Sequence, residues 1–217
     1  MHFESTKPYD FYQSDTDRDR LQLLFDHSFN NGDKSSLRKH YIFLRQLELN
    51  SFIDFPLETV NISALAESVT MGCDILLSQM GMSFIFCGNE TTPAVCNQRF
   101  VTKALLNLLS NAYLFGSEKL VTVKTVESQN FVRIEVQSGG GVFDNTYNKG
   151  LQFVRDVCLK SNGRFFIMQN TFHTNAIMMF QKSTDYNNAK STDLYSLISD
   201  RLSPLYVELF GMEYHQN

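Results

Sequence analysis

Asn97-Gln98-Arg99-Phe100-Val101-Thr102-Lys103-Ala104-Leu105-Leu106-Asn107-Leu108-Leu109-Ser110-Asn111-Ala112 is the stretch on which the fold turns. Asn97 starts a strongly apolar helix that runs through Phe115 and is closed by Gly116. Asn107 and Asn111 lie four residues apart, so they share one helix face, framed by leucines. Amides inside an apolar helix are costly unless they bind backbone, water or a ligand. Two readings of the pair stay open: satisfied core asparagines, or part of a binding pocket.

Upstream, Phe55 to Ile62 reads as an extended segment, and Ser63 is placed to cap a helix running to about Gln79, with Glu67 in its first turn and Gly81 to stop it. Met82 to Phe86 and Ala94 to Cys96 read as short strands around Thr91-Thr92-Pro93. Downstream, Val121, Val123 and Thr125 alternate with polar residues, as do Val132, Ile134 and Val136, around a turn at Ser128-Gln129-Asn130. A glycine-rich stretch precedes a helix from about Lys149 to Ser161, ended by Asn162-Gly163. Arg164 to Gln169 and Thr171 to Gln181 form a last hairpin around Asn170. Strands in runs with helices between them predict an α+β fold, a two-layer α/β sandwich with one mixed sheet and helices on one face. Short hairpin connections make a doubly wound sheet the poorer fit.

Farther out lie helices of a different kind. Ser14-Asp15-Thr16-Asp17 offers N-caps for a helix through Leu21, Leu24 and Phe25, ending near Asn30-Asn31-Gly32. Asp33 or Ser35 caps a second helix to about Phe52, whose Leu37, Tyr41, Leu44 and Leu47, with Ile42, Phe43 and Leu49, suit burial on more than one side. An antiparallel hairpin of two helices cannot bury so much apolar surface alone, so packing on a partner hairpin, as in a dimeric four-helix bundle, or on another domain is expected. At the other end, Asp193 to Met212 reads as a terminal helix interrupted by Pro204. The chain divides accordingly into an N-terminal arm (1–13), a helical hairpin (14–54), an α/β domain (55–183) and a C-terminal linker and helix (184–217).

The composition fits a soluble globular protein: 43% hydrophobic and 19% charged residues leave enough apolar surface for a core. A net charge of −4 with scattered Lys and Arg argues against a nucleic-acid footprint. No run reaches the length a membrane span needs, and Met1 to Gln13 has no basic flank followed by an apolar core, so no secretory signal is read. Cys73, Cys87, Cys96 and Cys158 have no metal-like spacing and sit in apolar surroundings, as buried, reduced residues of a cytoplasmic protein would.

The run LLNLLSNA resembles the Asn-containing box of the GHKL ATPases, in particular the two-component sensor histidine kinases. The resemblance covers roughly residues 35–181. Leu44 to Leu49 and Val60 to Leu65 resemble the end of the dimerisation hairpin and its link into the ATP-binding domain. Gly81-Met82-Ser83 resembles the start of that domain's first core strand, and Gly150 to Val154 with Asn162-Gly163-Arg164 the second glycine box, its helix and the following turn. The resemblance implies a Bergerat-type ATP-binding domain using ATP and Mg²⁺. In it Asn111 would hold the Mg²⁺ that bridges the phosphates, and Asn107 would line the pocket; an amide oxygen is a suitable hard ligand for Mg²⁺. Gly139, Gly140, Gly141 and Gly150, followed by Leu151, occupy the matching glycine boxes, where backbone amides approach phosphates at a helix N-terminus.

Departures from the pattern are concentrated in the pocket. The first glycine box of the family opens with an Asp that recognises the adenine amino group; strand alternation places Ser138 there, or Gln137 with a shift of one residue. Leu114 stands three residues after Asn111, where a basic, phosphate-facing residue is usual, and Asn148 stands for the first glycine of the second box. Only eight residues separate Gly141 from Gly150, too few for the usual nucleotide lid. The phosphoacceptor expected on the first hairpin helix has two candidates, His27 near the turn and His40 on the second helix beside Tyr41. Two functions stay open: a histidine kinase that phosphorylates itself and then a response regulator receiver domain, with reduced nucleotide binding, or a phosphorelay or docking module, resembling the degenerate kinase-like phosphotransferases. Both imply a homodimer through the hairpin; an anti-sigma-type GHKL protein fits the hairpin and the lost boxes less well.

Overall fold

The computed structural model describes residues 23–28, 30–50, 55–140 and 149–211. The arm expected over 1–13, the caps at 14–17, the expected helix end at 51–54, residues 141–148 with Gly141 and Asn148, and residues 212–217 lie outside this set.

Residues 23–28 are helical (α1), and a turn leads into α2 (Lys34–Asn50). Asp33 caps α2: its Oδ1 accepts the Ser36 N–H at 3.0 Å. Then follow β1 (Glu58–Asn61), α3 (Ile62–Leu77), a 3₁₀ turn (Ser78–Met80), β2 (Ser83–Cys87), β3 (Pro93–Cys96) and α4 (Gln98–Phe115). The chain continues through β4 (Leu120–Glu127), β5 (Phe131–Gly139), α5 (Lys149–Lys160), β6 (Arg164–Gln169), β7 (His173–Lys182), α6 (Leu194–Ser199) and α7 (Pro204–Phe210).

The strands form one mixed sheet in the order β1-β3-β7-β5-β4-β2, with β6 also beside β7; β2 and β4 are the parallel pair and the other neighbours are antiparallel. Its inner face carries Val121 and Val123 of β4, Val132, Ile134 and Val136 of β5, and Ala176, Met178 and Phe180 of β7, all buried. Against it pack α3, α4 and α5, with Leu65, Leu105, Val154 and Val157 in the same core. Each fully buried Leu, Ile or Val contributes about 1.5–3 kcal/mol relative to exposure, which is why the period-2 strands and the apolar helix lock together. This is the expected two-layer sandwich.

A third layer covers the helices. The stretch expected as one terminal helix is two, α6 capped by Asp193, whose Oδ2 accepts the Ser196 N–H at 3.0 Å, and α7 with Pro204 in its first turn. Proline lacks the N–H an interior position needs but suits a helix start, so it begins α7 rather than interrupting it. α7 packs on α4 and on α2, and Phe25, Tyr41, Leu44, Leu202 and Val207 form a small second core there. Phe43 stays exposed, so within this chain α2 buries one side; Leu23 and Leu24 of α1 are exposed as well.

Three local expectations change. Asn61, not Ser63, caps α3: its Oδ1 accepts the Ala64 N–H at 3.3 Å, because the chain already turns where β1 ends. Ser63 is instead buried in the helix, its Oγ bonded to Thr92 Oγ1 at 2.9 Å and to Thr125 Oγ1 at 2.8 Å. β7 starts at His173 because Asn170 Oδ1 accepts the N–H groups of Phe172 and His173 and holds the turn open. Cys73, Cys96 and Cys158 are buried, but Cys87 is exposed, at the end of an edge strand paired only with β4. All four thiols are free.

Candidate functional site

Asn97 sets the register of α4 by accepting the Phe100 N–H with Oδ1 at 3.0 Å. From that cap onward Lys103, Asn107 and Asn111 fall one turn apart on one face. Lys103 locates this face: its Nζ lies 5.6 Å from the centroid of the Phe153 ring on α5. Asn107 is 1% exposed and Asn111 5%. Asn107 Nδ2 donates to its own helix, to Lys103 O at 3.0 Å, while its Oδ1 is buried without a hydrogen-bond partner among the described residues.

Ser138 ends the inner-face alternation of β5 at 4% exposure, and Gln137 points the other way, half-buried. Directly across from Ser138 in the register stands Thr174 of β7, on the same inner face, with Oγ1 buried and without a partner among the described residues. Thr174 and Lys103 went unread in the sequence. The signal for Lys103 is its spacing of four before Asn107; the signal for Thr174 is the alternation through Ala176, Met178 and Phe180 once strand β7 is in register.

Gly139 and Gly140 serve the chain's own packing. A Cβ on Gly139 would lie 2.7 Å from Glu118 N in the loop after α4, and one on Gly140 would lie 2.6 Å from Thr171 O. Neither position tolerates a side chain, whatever else approaches it. Gly140 N–H donates to Phe172 O at 2.6 Å and is thereby spent. Gly150 is buried in the first turn of α5, and Leu151 packs into the main core. Leu114 packs partly buried against that core.

The pocket that the resemblance implies for Mg-ATP is matched in residue type only in part: hydroxyls stand at Ser138 and Thr174 and amides at Asn107 and Asn111, all four buried, and an alkyl side chain stands at Leu114. Among the described residues no group of three or more His, Cys, Asp and Glu side chains is arranged to hold a metal ion by itself.

The two histidine candidates lie apart from this face. His27 is exposed on α1, with the Asn31 amide 3.1 Å from its Nδ1. His40 is half-buried on α2, its ring centroid 5.5 Å from that of Phe25 and its Nδ1 buried without a partner among the described residues.

Seven residues after Lys103, and so on the same stripe of α4, Ser110 Oγ donates to Glu208 Oε1 of α7 at 2.6 Å, and the same carboxylate accepts both Nε and a terminal N–H of Arg45 of α2 at 2.9 Å. One buried carboxylate thus fastens the hairpin and the C-terminal helix to the helix that carries the amide face.

The sequence matches no protein-family model, and no curated protein matches it. Solved structures do match. The nucleotide-free catalytic domain of the histidine kinase ThkA aligns with a TM-score of 0.52 at 17% identity, covering 58% of this chain and 98% of that one. The histidine kinase AdeS of Acinetobacter baumannii aligns with a TM-score of 0.53 at 16% identity, over 76% of this chain and 85% of that one. ThkA in complex with the response regulator protein TrrA gives 0.56 at 18% identity, over 72% of this chain and 50% of that one. With one mixed sheet, its helices on one face and a capped Asn-bearing helix at their centre, the chain has the GHKL-type fold of the histidine-kinase catalytic domain.

Proposed function

We propose that the chain is a histidine-kinase-like signalling module that engages the receiver domain of a response regulator through the α1–α2 hairpin, and that its ATP-type domain binds nucleotide more weakly than a working kinase must. Ser138 carries this reading. It stands where the family resemblance calls for a carboxylate, so a purine amino group would meet an uncharged hydroxyl, and charge-assisted hydrogen bonds are roughly twice as strong as neutral ones. Leu114 weakens the phosphate end in the same direction. The Arg45–Glu208–Ser110 link supports the reading from another side, because it ties the hairpin to α4, whereas a kinase must bring its nucleotide to a histidine on the hairpin. A response regulator as partner is supported by the ThkA–TrrA complex among the structures with this fold. Pairing of two copies is supported by Leu23, Leu24 and Phe43, all exposed on the hairpin.

A second reading, phosphorelay, is favoured by the exposure of His27. A neutral imidazole nitrogen in solvent can take a phosphoryl group from an aspartyl phosphate; His40 is the poorer acceptor, with Nδ1 buried against α1. The test is to mix the full chain with a panel of receiver domains phosphorylated by acetyl phosphate. Co-elution on gel filtration is expected, and acid-labile phosphate on His27 would add relay. Co-elution without label removes relay and keeps docking. No complex and no label with any receiver overturns both.

A further inference from the structure

A cavity of about 650 Å³ lies between the hairpin and the body of the protein, away from the amide face of α4. The turn after α1 and the first two turns of α2 form one wall; the end of α3 with its 3₁₀ turn and the last turn of α7 form the other. Protein interiors hold few voids larger than a water molecule, and this volume lies in the range of small-molecule sites.

Its chemistry is two-sided. Leu37, Tyr41, Leu77 and Leu209 make an apolar floor, and the exposed Met80 and Phe210 an apolar rim. The Tyr41 hydroxyl donates to Arg201 O at 3.1 Å, which fixes the ring as a wall. Lys34 and Arg38, exposed and one turn apart on α2, bring positive charge to the mouth. The carboxylate at the mouth, Asp33, caps α2 by accepting the Ser36 N–H, so with Lys34 and Arg38 the mouth keeps a net charge of one positive unit. An apolar chamber with cations at its entrance suits a molecule with an alkyl body and an anionic head.

We propose that this cavity is a binding site for a soluble, single-chain amphipathic carboxylate, its alkyl chain among Leu37, Leu77 and Leu209 and its carboxylate at Lys34. The bound molecule bridges the hairpin and the α/β body, so its occupancy would stiffen that junction. The site stands apart from the nucleotide question and survives either answer to it.

The experiment titrates the full chain with decanoate below its micelle concentration, by calorimetry and thermal denaturation. Decanol and decyltrimethylammonium serve as neutral and cationic comparisons. Saturable one-to-one binding of decanoate is expected, at least tenfold tighter than either comparison. Lys34→Glu, a surface change, should weaken decanoate at least tenfold and leave decanol unchanged. Met80→Trp, which plugs the chamber from its exposed rim, should abolish binding of both while the circular dichroism spectrum is kept. Absence of decanoate binding at millimolar concentration overturns the site, and equal binding of all three probes, or an unaffected Lys34→Glu, overturns the assignment of an anion.

Discussion

Arg45 and Glu208 are 163 residues apart in sequence and meet in a two-pronged ion pair, both N–O distances 2.9 Å. Glu208 is 5% exposed and shares its Oε1 with Ser110. A carboxylate so placed tolerates burial only because charged and neutral donors occupy its lone pairs. Beside the apolar contacts of Tyr41, Leu44 and Val207, the pair gives α2, α4 and α7 a directional contact that favours one turn of each facing the others.

Removing one member should cost stability. Glu208→Ala removes the partner of Arg45 and of Ser110, and because Arg45 is partly exposed and can regain water the cost is about 1.5–3 kcal/mol, that of a charged hydrogen bond. Glu208→Gln keeps a hydrogen bond to Ser110 and should cost less. Urea unfolding measures both, and hydrogen exchange should show the loss of protection in α2 and α7 before the strands of the sheet. Equal stability of Glu208→Ala and the parent would show that the link holds nothing.

The small core under the hairpin makes a separate prediction. Phe25 is buried, its ring centroid 4.6 Å from that of Tyr41. Phe25→Ala should destabilise the protein by about 3–5 kcal/mol, the usual cost of deleting a buried aromatic ring. Because the α7 link joins hairpin and body, unfolding of the parent should follow one transition. Two separated transitions, with only the first moved by Phe25→Ala, would mean that the hairpin folds apart from the sheet.

Thiol chemistry should single out Cys87. Under native conditions a disulfide reagent should modify it alone, with Cys73, Cys96 and Cys158 reacting after denaturation, since the thiolate is the reactive form and burial disfavours it. Rapid native modification of any second cysteine would contradict the packing of α3, β3 or α5.

The same burial sets an alkaline limit. Desolvation pushes the thiols of Cys73 and Cys96 far above their ordinary value of 9.0 and that of Cys158 up to about 12. The folded state thus holds these protons after the unfolded chain has released them. Their contribution is undiminished below pH 9 and is lost as pH rises from there toward 12, because unfolding then releases protons. Urea midpoints should fall steadily from pH 9 to pH 11, and replacing Cys158 with Ala should flatten the slope.

Much of this architecture was legible in the chain itself, wherever short-range rules decide the outcome. Asn97, the leucines and Gly116 bound α4 because a cap, an apolar run and a stop act over neighbouring residues. β4 and β5 followed from period-2 burial. Legibility failed where the partner is remote. Nothing near Arg45 announces Glu208, and a buried carboxylate on a short helix has no sequence period. Cys87 sits in an apolar run, yet β2 is an edge strand and exposes it. Among the candidate residues, Asn107 and Ser138 are read from their neighbours in sequence, whereas Thr174 becomes visible only when β7 is laid against β5.

Weak nucleotide binding is read out by thermal denaturation in millimolar Mg-ATP, with Asn111→Ala and Ser138→Asp alongside. A ligand present at one hundred times its dissociation constant stabilises the folded state by about 2.7 kcal/mol, which for a chain of this size corresponds to roughly 5–10 °C in Tm. The parent should rise by less than about 2 °C, Asn111→Ala should lose nothing further, and Ser138→Asp, with a carboxylate at that position, should rise more. A rise of about 5 °C or more in the parent, abolished by Asn111→Ala, would contradict weak binding and mark a working ATP site.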